Sequence, residues 1–250
     1  MAAGPPQVSF GGVVNNAISD PGAVVAQGAI VALYGEQLTT SDPAAAAALP
    51  LGTTLGTVRV FVNDQPAPLY YTSYGQVNFQ IPYDASPGDG SVRVERDGQR
   101  SNSVSIRIAA GAPKLLELSG RYAIAVNQDG TFPIPRTAGI PSRPARPGDT
   151  LVFYAIGLGP TEPPVASGTA SPASPLAASP GTHLVTFGSA GPFGGGSAEA
   201  TPLFVGLTPN FVGLYQINVT IPDDAPKGAA IPVAYIGVGG ASNRVNIAIE

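Results

Sequence analysis

The sequence contains no cysteine and only one histidine, His183. Without cysteine the chain cannot form disulfides or thiolate metal sites, and it has no Cys nucleophile. A Ser-His-Asp arrangement would have to use His183, yet no G-x-S-x-G motif accompanies it. A histidine-based metal site needs several imidazoles, which leaves only carboxylate sites open. We therefore expect no catalytic residue and no bound cofactor or metal, and we interpret His183 as an ordinary strand or loop residue.

Charged residues are also scarce, at 11% of the chain against about 25% in typical soluble proteins. Only two lysines occur, Lys114 and Lys227, and the net charge is −4. Nucleic acids and anionic membrane surfaces are bound by clustered Lys and Arg, so partners of both kinds are excluded. The surface must instead be covered by Ser, Thr, Asn, Gln, Gly and Pro, a composition more typical of secreted and wall-attached proteins than of cytosolic enzymes.

Glycine and proline are abundant, at 32 and 27 residues, but the hydrophobic fraction of 44% argues against disorder. We interpret them as turns between many short strands, with Asp97-Gly98 as a two-residue hairpin turn and Asn63-Asp64 as another turn. Apolar and polar residues alternate in four runs, namely 58–62, 76–81, 92–95 and 104–108. Since alternation puts the apolar side chains of a strand on one face, this pattern predicts an all-β protein of antiparallel sheets.

Two segments depart from this pattern. Residues 44–48 are all alanine and follow Asp42-Pro43, which predicts a short helix because proline is favoured in the first helical turn. Residues 160–201 are rich in Pro, Ser, Ala and Gly, and we interpret them as long surface loops around one strand near 183–187. Loops of this length are either functional or mobile, so a specialised surface is expected first among them.

The chain contains an internal repeat. Residues 28–38 (GAIVALYGEQL) match 148–158 (GDTLVFYAIGL), 76–88 (QVNFQIPYDASPG) match 216–228 (QINVTIPDDAPKG), and 101–108 (SNSVSIRI) match 242–249 (SNRVNIAI). Pro-Leu-Tyr at 68–70 likewise pairs with Pro-Leu-Phe at 202–204. The blocks occur in the same order in both halves, so one unit of short strands occurs twice.

Two copies in the same order predict two tandem antiparallel β-sandwiches, at residues 1–111 and 112–250, with the boundary between Ala109 and Lys114. The second sandwich is longer because it carries the Gly/Pro/Ser-rich loops. A single sandwich with intertwined strands is the alternative arrangement.

Six positions of the second block recur as the same residue type: Gln76, Asn78, Pro82, Gln216, Asn218 and Pro222. Asn78 and Asn218 fall on the polar face of an apolar strand, where bridging to a neighbouring loop is expected rather than ligand binding. Pro82 and Pro222 fit strand ends, where a missing N–H costs little. We interpret all six as structural.

A family resemblance rests on five segments: GAIVALYGEQL, VFVNDQPAPLYYTSYGQVNFQIP, SNSVSIRI, YAIGLGPTEP and GLYQINVTIP. They resemble the Solibacter-type C-terminal domain, a module common in Acidobacteria that often ends large exported proteins. The resemblance covers about Val8 to Glu250. This sequence departs from the family pattern at the three glycines of 194–196. It implies two Ig-like (IPT/TIG-like) β-sandwiches, an extracellular or cell-surface location and no enzymatic activity. It carries over no catalytic or binding residue.

The first six residues, Met-Ala-Ala-Gly-Pro-Pro, have neither the basic segment nor the apolar core of a signal peptide. Together with the resemblance, this implies an exported protein in a processed or trimmed form.

Tyr70, Tyr71 and Tyr74 form the densest aromatic cluster and are the candidate binding residues. Exposed aromatic rings stack on sugars or anchor protein partners. Strand alternation puts Tyr70 and Tyr71 on opposite faces, so at least one of them is expected in the core.

Calcium is the one metal that the carboxylates would suit, at the turn residues Asp84, Asp89, Asp223 and Asp224. No D-x-D-x-D-G loop is present, and aspartates in turns usually accept hydrogen bonds from the backbone. We interpret them as turn residues.

These observations favour a non-catalytic extracytoplasmic module with a structural or adhesive role, which contacts a protein, a cell-surface polymer or another copy of itself. A carbohydrate-binding accessory module is one alternative, with exposed aromatic residues at 70–74 or 193–211. A filament subunit is another, because exposed sheet edges accept added strands, and residues 7–14 are then the candidate donor strand.

Overall fold

The computed structural model of the chain describes residues 4–18, 24–118, 121–189 and 196–250. The predicted fold class is confirmed, since these residues form an all-β protein in which antiparallel sheets pack as Ig-like sandwiches. No helix long and apolar enough to cross a membrane occurs in the described ranges.

Eleven strands form the first half of the chain: β1 (Gln7–Asn15), β2 (Val25–Ala26), β3 (Ile30–Glu36), β4 (Ala44–Ala45), β5 (Val58–Val62), β6 (Gln65–Pro66), β7 (Leu69–Thr72), β8 (Gln76–Gln80), β9 (Gly88–Arg96), β10 (Gln99–Arg100) and β11 (Val104–Ala109). One sheet has the order β1-β3-β8-β7-β4. The other has the order β2-β11-β9-β5-β6, with β10 paired to β9. The two-residue pairing of β2 with β11 is parallel, and the rest of both sheets is antiparallel.

Ten strands form the second half: β12 (Lys114–Leu115), β13 (Ala125–Asn127), β14 (Thr150–Ile156), β15 (Leu184–Ser189), β16 (Gly196–Ala200), β17 (Phe204–Leu207), β18 (Tyr215–Thr220), β19 (Gly228–Gly237), β20 (Gly240–Ala241) and β21 (Val245–Ile249). The order β12-β14-β18-β17 mirrors β1-β3-β8-β7 of the first half. In the other sheet, β21, β19 and β15 correspond to β11, β9 and β5. The repeated sequence blocks therefore occupy equivalent strands.

Each half has its own buried core between its two sheets. In the first half, Val31 and Phe79 of one sheet pack with Val60 and Val92 of the other. In the second half, the corresponding cluster includes Phe153, Ile217, Phe187 and Val233. Strand β11 ends at Ala109 and β12 begins at Lys114, on either side of the predicted boundary. Whether residues 1–111 and 112–250 fold as independent domains stays a prediction.

Alternation predicts the four strands correctly, but Phe61 departs from it. Phe61 lies on the outward face of β5 and is nevertheless only 6% exposed. The guanidinium groups of Arg59 and Arg93 lie 4.7 Å and 4.0 Å from the centre of its ring. Two of the chain's few cations therefore shield this ring from water by cation–π contact.

The two turns are confirmed as hairpins, β5 to β6 and β9 to β10. Asn63 and Asp64 have φ of 48° and 65°, and Asp97 and Gly98 have 50° and 76°. Positive φ at both central residues is the geometry of a type I′ turn, which Asn, Asp and Gly tolerate best.

The helix predicted for residues 44–48 is wrong. Ala44–Ala45 instead form β4, which pairs with Tyr71 and Thr72 of β7. Five alanines are too few to stabilise an isolated helix, so backbone hydrogen bonds to a neighbouring strand outweigh alanine's helix propensity.

The view of residues 160–201 as loops around one strand needs correction. A second strand, β16, starts at Gly196 and pairs along β15. In the segment before β15, Thr161, Ser171 and Ala177 are buried, so this part of the chain is packed into the protein. Phe193 and the glycines 194 and 195 lie outside the described residues.

Residues 7–14 are not a free donor strand. They belong to β1, which pairs with β3 of the same chain from Gln7 opposite Glu36 to Asn15 opposite Val31. Donating this strand to another copy would first break that pairing.

The repeat extends to individual hydrogen bonds at the edges of the sandwiches. The side chain of Asn102 accepts a hydrogen bond from Val8 N at 2.8 Å and donates one to Val8 O at 2.9 Å. In the second half Asn243 does the same with Leu115, at 2.8 Å and 3.1 Å. Each asparagine therefore acts as one residue of an additional strand, and joins the edge strand of one sheet to the opposite sheet.

The six recurring positions in β8, β18 and the turns after them also have duplicated roles. Gln76 donates to Asn78 Oδ1 at 2.7 Å, and Gln216 donates to Asn218 Oδ1 at 3.3 Å. The carbonyls of Pro82 and Pro222 each accept a hydrogen bond at 3.1 Å from the amide three residues later. These contacts fit the structural interpretation, and Asn78 also lines a groove between the two halves.

Candidate binding groove between the two halves

Gln80, the last residue of β8, joins the two halves. Its side chain is fully buried, its Nε2 donates to Gly28 O at 3.1 Å, and its Oε1 accepts from Gly168 N at 2.7 Å. Leu51 N donates to Gly168 O at 2.8 Å. The segment before β15 is thus bonded to β8 and to the connection between β4 and β5, so part of the long insertion has a structural role.

Tyr83 crosses the same junction. Its backbone N–H donates to Ser167 Oγ at 2.9 Å, and its hydroxyl lies 3.2 Å from that of Tyr215. Tyr215 is fully buried and donates its own proton to Gly159 O, so the hydroxyl of Tyr83 is the donor between the two rings. A Cβ on residue 28 would lie 1.9 Å from the Tyr83 ring, so only glycine at this position lets the ring pack here.

A third contact lies on the other side of Gln80. Tyr70 Oη donates to Val212 O at 2.6 Å, which holds the loop before β18 against the first half. At Gly213, φ is +65° and a Cβ would lie 2.8 Å from Ile30 Cδ1 and 2.9 Å from Gly28 O. A side chain at this position would push the two halves apart, so glycine sets their spacing here.

Between the two halves lies a groove of about 470 Å³, within the range of about 300–1,000 Å³ typical of small-ligand sites. The first half contributes side chains from β3, β7, β8 and the residue after β1, and the second contributes the loop at 211–214 with residues near β12 and β14. The groove is lined by Asn16, Ile30, Tyr70, Tyr71, Asn78, Leu116, Ile156, Phe211, Val212, Gly213 and Leu214.

The structure brings together two of the three predicted tyrosines. The pairing of β7 with β8 is irregular between Leu69 and Tyr71, and this bulge breaks the alternation. As a result Tyr70 and Tyr71 are both half-buried and line the same groove, so the expectation of opposite faces is wrong. Tyr74 is 56% exposed in the turn after β7 and does not line the groove.

Sequence reasoning named Phe211 only as part of a broad aromatic range. Phe211 is 54% exposed and lines the groove from the second half, whereas Tyr70 and Tyr71 line it from the first. Asn78 also lines the groove, and its Oδ1 is already bonded to Gln76. Any binding role of these residues stays a prediction.

The tyrosines of the junction make its stability depend on pH. Burial raises the pKa of Tyr70 to about 12, and the nearby Tyr83 hydroxyl adds to the shift. Burial also raises the pKa of Tyr83 to about 12. A tyrosine in the unfolded chain ionises near pH 10.

We therefore expect the free energy of unfolding to fall as the pH rises from 10 to about 12. Because the folded pKa of each tyrosine is raised, the unfolded chain loses its proton at lower pH than the folded protein. The stability that protonated Tyr70 and Tyr83 contribute is therefore fully present below pH 10 and is lost as the pH rises through their folded pKa of about 12. Urea unfolding followed across this range measures the slope. A double variant with Tyr70→Phe and Tyr83→Phe should give a shallower slope, and an unchanged slope would contradict the assignment.

Of the remaining candidates, His183, Asp84 and Asp89 are bonded to neighbours within the chain, whereas Asp223 and Asp224 are exposed. His183 Nδ1 lies 2.8 Å from Tyr235 Oη and its Nε2 lies 3.0 Å from Ser179 O, so both ring nitrogens are engaged. Asp84 accepts a hydrogen bond from Gln65 at 2.8 Å, and Asp89 accepts one from Arg107 at 3.3 Å. Within the described parts of the chain, no three His, Cys, Asp or Glu side chains are grouped to hold a metal.

No family model and no curated protein matches the chain. Similar solved structures include Gamma-CGTase from alkalophilic Bacillus clarkii, with 12% identity and a TM-score of 0.30 over 97% of this chain and 24% of that one. SGBP-B, from a complex xyloglucan utilization locus in Bacteroides uniformis, has 14% identity and a TM-score of 0.26 over 96% and 48%. The Escherichia coli adhesin FdeC has 12% identity and a TM-score of 0.24 over 100% and 67%. The chain thus spans a quarter to two thirds of these proteins, and similarity at this level does not extend to function.

Proposed function

We propose that the protein is a non-catalytic module that acts outside the cytoplasm and has a structural or adhesive role. In this role it holds two β-sandwiches in a fixed arrangement and contacts a protein or a cell-surface polymer. The observation that carries the proposal is the junction, where buried hydrogen bonds of Gln80 and Tyr215 are combined with an open groove beside them.

The junction supports this role because it resists bending. Gln80 bonds to groups of both halves, and removing those bonds would leave polar groups without partners in a buried position. Ile156 of the second half also packs into the core of the first, and Tyr83 of the first half packs against the core of the second. A rigid pair of sandwiches transmits force and presents a surface of constant shape.

Two further observations support the non-catalytic and extracytoplasmic parts of the proposal. The only histidine bonds to the hydroxyl of Tyr235, which is buried, and to the backbone carbonyl of Ser179, so it is not paired with an exposed nucleophile. The scarcity of charge and the resemblance to the Solibacter-type C-terminal domain, with its IPT/TIG-like halves, support an exported location.

A filament assembled by strand donation is less well supported. Strand β1 is paired with β3, and the side chain of Asn102 bonds to Val8 on its outer edge. An edge protected in this way accepts an added strand less readily than a bare one.

The proposal is tested by two measurements on the purified chain. We expect no turnover of nitrophenyl esters, nitrophenyl glycosides or casein above the rate without protein, and we expect the labelled chain to bind envelope fragments of the producing organism. Turnover that stays with the protein through repurification and is lost in His183→Asn would refute the non-catalytic role. Failure to bind envelope material under all salt conditions tried would refute the adhesive role.

A further inference from the structure

None of the described residues that line the junction groove is charged. Its side chains are the aromatic rings of Tyr70, Tyr71 and Phe211, five aliphatic groups, and the amides of Asn16 and Asn78, with a glycine completing the wall. A ligand with a net charge would lose its hydration here without gaining a counter-charge, so the groove suits an uncharged ligand.

The aromatic rings can offer their faces to such a ligand. Tyr70 Oη is already committed to Val212 O, which fixes the ring and leaves its apolar surface as the part a ligand can meet. Tyr71 lines the groove beside it because of the bulge in β7, and Phe211 lines the groove from the second half with about half of its surface exposed. Aromatic rings on both sides of a groove can stack on the apolar C–H faces of a ligand ring.

The polar groups of the groove are amides, whose chemistry matches hydroxyl groups. The Asn78 Oδ1 accepts from Gln76 Nε2 at 2.7 Å, which fixes the amide so that its NH₂ group is the part that can donate to a ligand. No partner for that NH₂ group occurs among the described residues. Asn16 is exposed at the same groove and adds both a donor and an acceptor.

We propose that this groove binds an uncharged polysaccharide, with sugar rings stacked on Tyr71 and Phe211 and hydroxyl groups bonded to Asn78 and Asn16. This inference rests on the proposed function, since it names the surface polymer that the module contacts. The groove is held open by hydrogen bonds between the halves and by Gly213, so the protein meets its ligand without reordering a loop.

A proline-rich peptide is the competing occupant, because it also binds grooves lined by aromatic residues. Such peptides present carbonyl groups that only accept hydrogen bonds, and aromatic hydroxyls commonly supply the donors. Here the hydroxyl of Tyr70 is already used within the chain, whereas Asn16 both donates and accepts, as sugar hydroxyls do, and Asn78 adds a further donor.

Affinity electrophoresis and calorimetry with soluble polysaccharides test the proposal. The panel contains neutral chains (hydroxyethyl cellulose, xylan, mannan and dextran), acidic chains (polygalacturonate and alginate) and a polyproline peptide. We expect binding to at least one neutral chain, weakened at least about tenfold by Phe211→Ala and by Tyr71→Ala. The matched control is Tyr74→Ala, because Tyr74 is an exposed tyrosine of the same hairpin outside the groove and its loss should leave binding unchanged.

Every outcome is decisive. Binding to none of the neutral chains, equal binding by the Phe211→Ala variant, or binding only to acidic chains or to polyproline would overturn the glycan proposal. Phe211 is half-exposed, so its variant stays folded even if Tyr71→Ala does not. If envelope binding persists while the neutral chains fail, only the ligand assignment is wrong, and the proposed function stands.

Discussion

The Asn243→Ala variant is expected to lose about 2–3 kcal/mol of unfolding free energy. Asn243 satisfies both backbone groups of Leu115, which is 1% exposed, and water cannot readily take the place of the lost amide. The same substitution at Asn102 should cost less, about 1–2 kcal/mol, because Asn102 is exposed whereas Asn243 is half-buried, so its hydrogen bonds already compete with water.

Denaturation by urea, with far-UV circular dichroism as the signal, measures both values. Asn16→Ala is the matched control, since Asn16 is exposed and makes no side-chain hydrogen bond with the described residues, and it should change stability by no more than about 0.5 kcal/mol. If Asn243→Ala were as stable as the Asn16 variant, the duplicated asparagine contact would have no role in holding the sheets together.

The same two variants test the division of the chain. If residues 1–111 and 112–250 unfold separately, Asn102→Ala should shift only one transition and Asn243→Ala only the other. If the junction makes the protein one cooperative unit, both variants should shift a single transition. Two transitions that move together in both variants would be inconsistent with independent halves.

Local chemistry explains why much of the fold is predictable from the sequence. Period-two alternation identifies β5, β8, β9 and β11, because a side chain's face depends only on its position along a strand. The turn at Asp97-Gly98 is recognisable because few residues tolerate positive φ. The repeat predicts that both halves have the same strand order, since like sequences form like strands.

The features that escape prediction depend on contacts between distant residues. The bulge that puts Tyr70 and Tyr71 on one face arises from how β7 pairs with β8. Strand β4 forms in an alanine segment only because β7 lies beside it. The burial of Phe61 requires Arg93 from another strand, which alternation within β5 cannot reveal.

The candidate site does leave a signal in the sequence, at positions where the two copies differ. Gln80 is replaced by Thr220 in the second copy, and Tyr83 is replaced by Asp223. The hydroxyl oxygen of Thr220 lies 3.2 Å from that of Thr150 within its own half, and Asp223 is exposed. The first-copy residues instead reach the other half, so these two differences between the copies coincide with the surface where the copies meet.

The Gln80→Thr variant follows from this difference and is expected to lose about 2–4 kcal/mol of unfolding free energy. Threonine is too short to reach Gly28 O and Gly168 N, so both groups would be left buried without a partner. The Gln80→Leu variant keeps most of the side-chain volume and should lose nearly as much, because the missing hydrogen bonds and not a cavity cause the effect. Gln76→Thr is the matched control, since Gln76 lies on the same strand, is half-buried and donates only to its neighbour Asn78.

Amide hydrogen exchange at Gly168 distinguishes a weakened junction from a general loss of stability. In the wild-type protein this N–H is bonded to Gln80 Oε1 and should exchange slowly, whereas in Gln80→Thr it should exchange faster by a larger factor than the core amides of β14 and β18. If Gly168 were protected equally in both proteins, or Gln80→Leu were as stable as wild type, the hydrogen bonds of Gln80 would not hold the halves together. The rigid junction, and with it the fixed shape of the groove between Tyr71 and Phe211, would then have to come from apolar packing around Ile156 and Tyr83.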